Sequence, residues 1–176
     1  MLVLAFPDSN WWWLAWFAFV PVLLAITDER KAFATFLLGQ LFGTAYFFGT
    51  TWWLAYAPIH YGAFPSALAY VLIFIACMIV GFFPAVFAVI FNFVWRRYGA
   101  WSMIAAPFIW VCTEYLRFLL TGNNWNALGY SQAFGPQNIL NTASVGGVYL
   151  VSFNIVAFST LVAAVIKATS ATTDPF

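Results

Sequence analysis

The sequence predicts an all-α protein, a polytopic membrane helix bundle of about five transmembrane helices. Three observations lead there. Of 176 residues, 65% are hydrophobic and only 6% are charged, with a mean hydropathy of +0.91, a balance that a water-soluble domain does not carry. The apolar residues fall into five runs, each near the ~20 residues that a helix needs to cross a ~30 Å hydrocarbon core. The charges gather in the turns between those runs. A lone segment in lipid must satisfy its own backbone hydrogen bonds, which makes each run a helix, and the alternating segments of about ten residues that mark a β-barrel are not seen.

Residues 1–10 lack the basic n-region of a secretory signal peptide. The short LVLAF that opens the chain reads as the end of a truncated first helix. After the turn-forming Pro7-Asp8-Ser9-Asn10 comes the first full span, about 12–27. The second, about 32–57, is long enough to cross with tilt, and its Gly39 and Gly43 stand in a GxxxG spacing that lets another helix approach closely. The third, about 66–95, contains Pro84, which removes a backbone hydrogen bond and predicts a kink. The fourth covers about 101–120 and the fifth about 144–166. Residues 1–167 thus read as one transmembrane domain, and 168–176 as a polar tail or the point where a longer chain was cut.

Five of the six basic residues, Arg30, Lys31, Arg96, Arg97 and Lys167, fall at turns on one side. The opposite loops hold no Lys or Arg. By the positive-inside rule the loops at 28–31 and 96–100 are cytoplasmic, and those at 58–65 and 121–142 lie outside. Trp11, Trp12 and Trp13, then Trp52, Trp53 and Tyr56, then Trp95, Tyr98 and Trp101 stand at span ends, as an interfacial aromatic belt requires.

Composition also excludes several chemistries. A formal net charge of +1 cannot neutralise a run of phosphates, so nucleic acid is not a partner. Cys77 and Cys112 lie in apolar runs without CxxC spacing or a neighbouring histidine, which reads as packing. No pattern implies a metal or a cofactor. His60, the only histidine, has no second ligand or acid beside it in sequence and reads as an interfacial polar residue.

The remaining signal lies in residues 105–132, AAPFIWVCTEYLRFLLTGNNWNALGYSQ. Glu114 and Arg117, inside span four, are three apart and can pair on a helix. Two readings stand: an ion pair that fixes the span against its neighbours, or a site for an anionic or zwitterionic head group with Arg117 as phosphate donor. The loop beyond mixes Asn, Gln and Ser with Trp125, Leu128 and Tyr130. It suits either a solvated turn or a segment that dips back among the helices, where irregular backbone must be covered by protein. No nucleophile, base and orienting group can be assembled into a catalytic set.

That run, together with LAFP, WLAWFAFVPVLLA, WWLAYAPIHYGAFP and GGVYLVSF, resembles the N-terminal membrane domain of the apolipoprotein N-acyltransferases over nearly the whole chain. The resemblance implies a bacterial inner-membrane protein with periplasmic outer loops. The whole enzymes of that family resemble a helix bundle joined to a nitrilase-like domain with a Glu-Lys-Cys triad. They move an acyl chain from a phospholipid to the diacylglyceryl-cysteine of a lipoprotein, which makes phospholipid and diacylated lipoprotein the implied partners. No such triad is expected in these residues, so the chain alone is expected to be inactive. By match to the motif, Glu114, Arg117, Trp125, Tyr130 and Gln132 are carried over as lipid-facing, substrate-binding candidates, none of them a nucleophile. Asn123 and Asn124 stand where the family usually has an aromatic and a proline, so the loop's shape should differ locally. The rival reading is a small non-enzymatic membrane protein, a lipid-binding scaffold or carrier subunit.

Overall fold

A computed structural model describes residues 1–7 and 9–173, with side chains through Ser170. The expectations placed on Asp8 and on residues 174–176 lie outside the described residues. Among the described residues every regular element is helical and none is a strand. The chain begins with a single 3-10 turn, Val3–Ala5, whose flanking Leu2 and Phe6 are buried.

The first span starts as a 3-10 turn at Trp12–Leu14 and continues as α1 (Ala15–Ala18) and α2 (Val20–Asp28), with Pro21 in the first turn of α2. Its 17 residues, Trp12–Asp28, rise about 25 Å, less than a full hydrocarbon core. The second runs through α3 (Ala32–Thr51), a 3-10 turn at Trp52–Ala55 and α4 (Tyr56–His60). The helix thus extends beyond the predicted boundary at 57, into the region read as loop.

Next come α5 (Ser66–Tyr98) and α6 (Ser102–Thr121). Together they form an apolar stretch of 56 residues, too long for one crossing. Gly99, at φ 57° and ψ −137°, ends α5, and the Ser102 hydroxyl donates to the Gly99 carbonyl at 2.7 Å. The chain folds back there, so α5 packs against α6. The last helix, α7 (Gln137–Thr173), starts before its predicted span and breaks at Gly146 and Gly147, the latter at φ 62°. Residues 137–142, read as loop, are therefore a polar helical lead-in. At the other end α7 continues into the residues read as tail, where Thr169 and Ser170 hydroxyls donate back to the Ile166 carbonyl, a bond that lets such residues sit in a helix.

Lipid tails are as apolar as the helices, so association rests on close packing and hydrogen bonds rather than on hydrophobic burial. The most extensive interface joins α3 to α5. A Cβ at Gly39 would lie 2.7 Å from Ala85 Cα, and one at Gly43 2.8 Å from Pro84 Cγ, so the GxxxG pair is a helix contact. Phe19, Phe87 and Trp110 meet edge to face, Phe19 and Trp110 at 4.5 Å, each such pair contributing about 0.5–1.5 kcal/mol.

Polar side chains tie the helix ends. The buried Asn92 donates to the carbonyls of Ile26 (2.7 Å) and Glu29 (3.0 Å), satisfying the end of α2. Arg96 donates to the Arg30 carbonyl at 2.9 Å, and Lys167 pairs with Asp28. These contacts gather the basic loops at one end of the bundle. The loop after α6 lies at the other, as the charge pattern predicts.

Candidate functional site

Gly122, at φ 67°, stops α6 and donates to the Phe118 carbonyl at 2.8 Å, after which the chain runs without long helix to Gln137. Asn123 Oδ1 accepts from the Trp125 N–H at 2.7 Å, an Asx-turn that bends the chain back over the helix end. A 3-10 turn follows at Leu128–Gln132, with Leu128, Gly129, Ser131 and Gln132 buried. This is a segment dipping among helices, not a solvated turn.

Its buried backbone must find partners inside the protein, and the helices supply them. Glu114 Oε1 accepts the Leu128 N–H at 2.7 Å. Arg117 Nη1 donates to the Trp125 carbonyl at 2.8 Å while its guanidinium lies 5.2 Å over the Phe47 ring. From α3, Tyr46 Oη donates to the Asn126 carbonyl at 2.6 Å, and Thr50 Oγ1 accepts from Asn126 Nδ2 at 2.5 Å. From α7, Ser152 Oγ accepts the Gly129 N–H at 2.9 Å. A Cβ at Gly129 would meet the Val148 carbonyl at 2.4 Å, so only glycine permits this approach. Gln132 closes the set: its Nε2 donates to the Trp12 carbonyl and its Oε1 accepts from Trp16 Nε1, each at 3.0 Å.

The geometry corrects two expectations. Glu114 and Arg117 do not form a direct ion pair; among the described residues only Lys167 and Asp28 do. The loop presents unpaired N–H and C=O groups beside the end of α6, and leaving such a group buried without a partner costs about 1–3 kcal/mol, so each side chain turns to the backbone. Secondly, Glu114, Arg117 and Gln132 do not face lipid. Their exposures are 5%, 5% and 0%, against 48% for Trp125 and 40% for Tyr130. Glu114 and Gln132 hold the loop, Trp125 and Tyr130 line the spaces beside it, and Arg117 does both. Sequence reasoning missed Tyr46, Thr50, Ser152 and Trp16; the available signal was a polar group placed inside an apolar span.

Two adjacent spaces flank the loop. One, about 440 Å³, is lined by Phe6, Thr50, Trp53, Trp125, Asn126 and Tyr130 among others. The second, about 240 Å³, opens between α3 and α5 along Phe47, Leu54, Ile73, Ala76, Cys77 and Val80, with Arg117 and Asn123 at its loop end. Thr51, Trp125 and Asn126 border both, and Trp125 meets Trp53 edge to face at 5.5 Å. The result is a cleft with a mixed polar mouth and an apolar arm. Cys77 Sγ lies 3.4 Å from Thr51 Oγ1 with no base beside it. Cys112 is exposed, and His60 stacks on Tyr56 at 3.8 Å outside the cleft. Among the described residues no group of three His, Cys, Asp or Glu converges as metal ligands.

Comparison with known proteins gives this arrangement its relatives. The profile described as apolipoprotein N-acyltransferase N-terminal domain matches residues 1–161. The apolipoprotein N-acyltransferase of Geobacter metallireducens is 35% identical over 88% of this chain and 29% of its own length. That of Pasteurella multocida is 31% identical over 91% of this chain and 30% of its own; that of Rhizobium meliloti is 32% identical over 89% and 31%. The chain therefore spans about three tenths of the length of the curated relatives it matches. A bundle of apolar helices that buries a polar-tied loop, matched over nearly its whole length by that one domain, belongs to the apolipoprotein N-acyltransferase family as its N-terminal membrane domain.

Proposed function

We propose that this chain is the membrane domain through which an N-acyltransferase receives its lipid substrates, a phospholipid acyl donor and a diacylated lipoprotein. The observation that carries the reading is the cleft at the loop end. Its apolar arm between α3 and α5 suits an acyl chain, and its mouth offers hydroxyl, amide and indole groups to the polar part of an amphiphile. Trp125 and Tyr130 contact substrate in this reading. Glu114, Arg117 and Gln132 are positioning residues that fix the backbone carrying them. Residues 1–167 act as one transmembrane unit in a bacterial inner membrane, with the loops at 28–31 and 96–100 cytoplasmic and the loop end periplasmic. That places the cleft on the side where lipoproteins are matured.

The test is a chimera of the Geobacter metallireducens relative whose matching N-terminal segment is replaced by this chain. It should convert diacylated to triacylated lipoprotein in isolated membranes. The Trp125→Ala, Tyr130→Ala double variant should slow that conversion by about tenfold or more at unchanged protein level, the loss of roughly one buried aromatic contact. A chimera that shows a cooperative melting transition and still forms no triacylated product contradicts the proposal.

A further inference from the structure

The opposite end of the bundle carries a second groove, independent of the acyl-transfer reading. It has a volume of about 410 Å³ and is lined by Ala32 at the start of α3 and by Val89, Asn92, Phe93, Arg96 and Arg97 on α5. We propose that it binds the head group of an acidic phospholipid, with a phosphate on the two arginines and an acyl chain along Phe93.

Three observations support the assignment. First, α5 has 33 residues and rises about 50 Å, about 20 Å more than the hydrocarbon core. A helix of that length can reach past the core, and the end that carries Arg96 and Arg97 is the one suited to the head-group layer, where lipid phosphates stand. Secondly, the local charge is unbalanced. Arg96 directs one N–H to the Arg30 carbonyl, and neither Arg96 nor Arg97 pairs with a carboxylate, the one ion pair among the described residues being Lys167 with Asp28. Arg30 and Lys31 adjoin the rim. The acid that faces this region, Glu29, has its carboxylate turned to the backbone N–H groups of Arg30 and Lys31, at 2.8 Å each. Arg30, Lys31, Arg96, Arg97 and Lys167 thus stand against two acids, Asp28 taken by Lys167 and Glu29 engaged by its own loop.

Thirdly, the groove is not purely polar. Phe93 is 72% exposed and Phe33, next to Ala32, equally so, while Asn92 is buried and holds the groove wall to the end of α2. A free inorganic anion uses the guanidinium forks, which present several N–H donors to phosphate oxygens, but not the phenyl surface beside them. A phospholipid uses both. Basic pockets between helices on the cytoplasmic side have this composition where they hold acidic head groups.

Native mass spectrometry of the 176-residue chain in detergent, titrated with phosphatidylglycerol or with phosphatidylcholine, tests the proposal. We expect one phosphatidylglycerol to be retained at least tenfold more tightly than phosphatidylcholine, and each of Arg96→Gln and Arg97→Gln to weaken it by about fivefold. Lys167→Gln, which removes a cation at the same end but outside the groove lining, should weaken binding by less than about twofold. Arg97→Gln is the decisive variant, because Arg96 also supports the Arg30 carbonyl and its loss can loosen the turn; circular dichroism melting reports that. Equal retention of the two lipids overturns the proposal, as does phosphatidylglycerol binding that survives the combined Arg96→Gln, Arg97→Gln variant. Displacement by inorganic phosphate at concentrations comparable to the lipid overturns the lipid assignment in favour of a free anion.

Discussion

The two ends of the bundle handle charge in opposite ways. At the loop end, Glu114 and Arg117 are buried and grip backbone, Arg117 also bordering the apolar space, while the exposed residues there, Trp125 and Tyr130, are uncharged. At the basic end, Arg96 and Arg97 are exposed, and the one acid–base pair among the described residues, Asp28 with Lys167, lies at the surface. A polar side chain under a membrane loop is an internal structural tie, worth more there than in water because the alternative is an orphaned amide. The same chemistry at the head-group layer is free to meet solvent or lipid. Charge inside a span therefore does not by itself mark a substrate site; its hydrogen-bond partners decide.

Substitutions sharpen this contrast. The largest effect is expected at Arg117. Arg117→Ala leaves the Trp125 carbonyl unpaired and removes the cation nearest Glu114 along α6, and hydrogen bonds to charged groups are worth about 1.5–3 kcal/mol. Denaturant titration in detergent should show a loss at or above the top of that range, with Arg117→Lys recovering part of it. Glu114→Ala and Gln132→Ala should each cost about 1–3 kcal/mol by the same measurement, and Glu114→Gln less, because its amide oxygen can still accept the Leu128 N–H. Overpacking the α3–α5 contact with Gly43→Leu should cost about 1–3 kcal/mol. Thr50→Val, which leaves Asn126 Nδ2 without its acceptor, should cost about 1 kcal/mol. Arg97→Gln, by contrast, should leave the melting transition in place.

The smallest effect is the pH response of the exposed basic end. The backbone N–H of Lys31, then that of Arg30, hold the Glu29 carboxyl below its ordinary value, with the Lys31 charge adding to them. A carboxylate whose pKa is lowered on folding contributes stability above its unfolded value and loses it as pH falls through its folded value. The turn at 28–31 should therefore loosen slightly only below about pH 4, and Glu29→Gln should abolish that dependence in an acid titration followed by circular dichroism. A dependence near neutrality contradicts this account of the turn.

Much of this was legible in the sequence because membrane physics is coarse. Apolar run length located the three long apolar stretches and the shorter one at Trp12–Asp28, the 56-residue stretch dividing at Gly99 as α5 and α6. The Arg and Lys residues sit at turns that the Asp28–Lys167 and Arg96–Arg30 contacts bring together. The GxxxG spacing identified a residue pair in the most extensive helix contact. Other features were hidden because they depend on what the loop does in space. The i, i+3 spacing of Glu114 and Arg117 permits an ion pair, and only the position of the Leu128 N–H and Trp125 carbonyl shows that both side chains are taken elsewhere. Gln132 reads as a loop polar residue, yet it bridges Trp12 and Trp16, about 120 residues away in sequence. The start of α7 was missed because Gln137, Asn138 and Asn141 lower the apolar signal although the backbone there is helical.

The central claim is that the buried side chains make residues 124–132 a rigid part of the bundle. Amide hydrogen exchange of the chain in nanodiscs tests it most directly, comparing peptides over 124–132 with peptides over the basic turn at 28–31. The account predicts slow exchange at the amides of Leu128 and Gly129, bonded to Glu114 and Ser152, fast exchange in the basic turn, and loss of the protection in Arg117→Ala. Equal, fast exchange at both ends of the wild-type chain would contradict it.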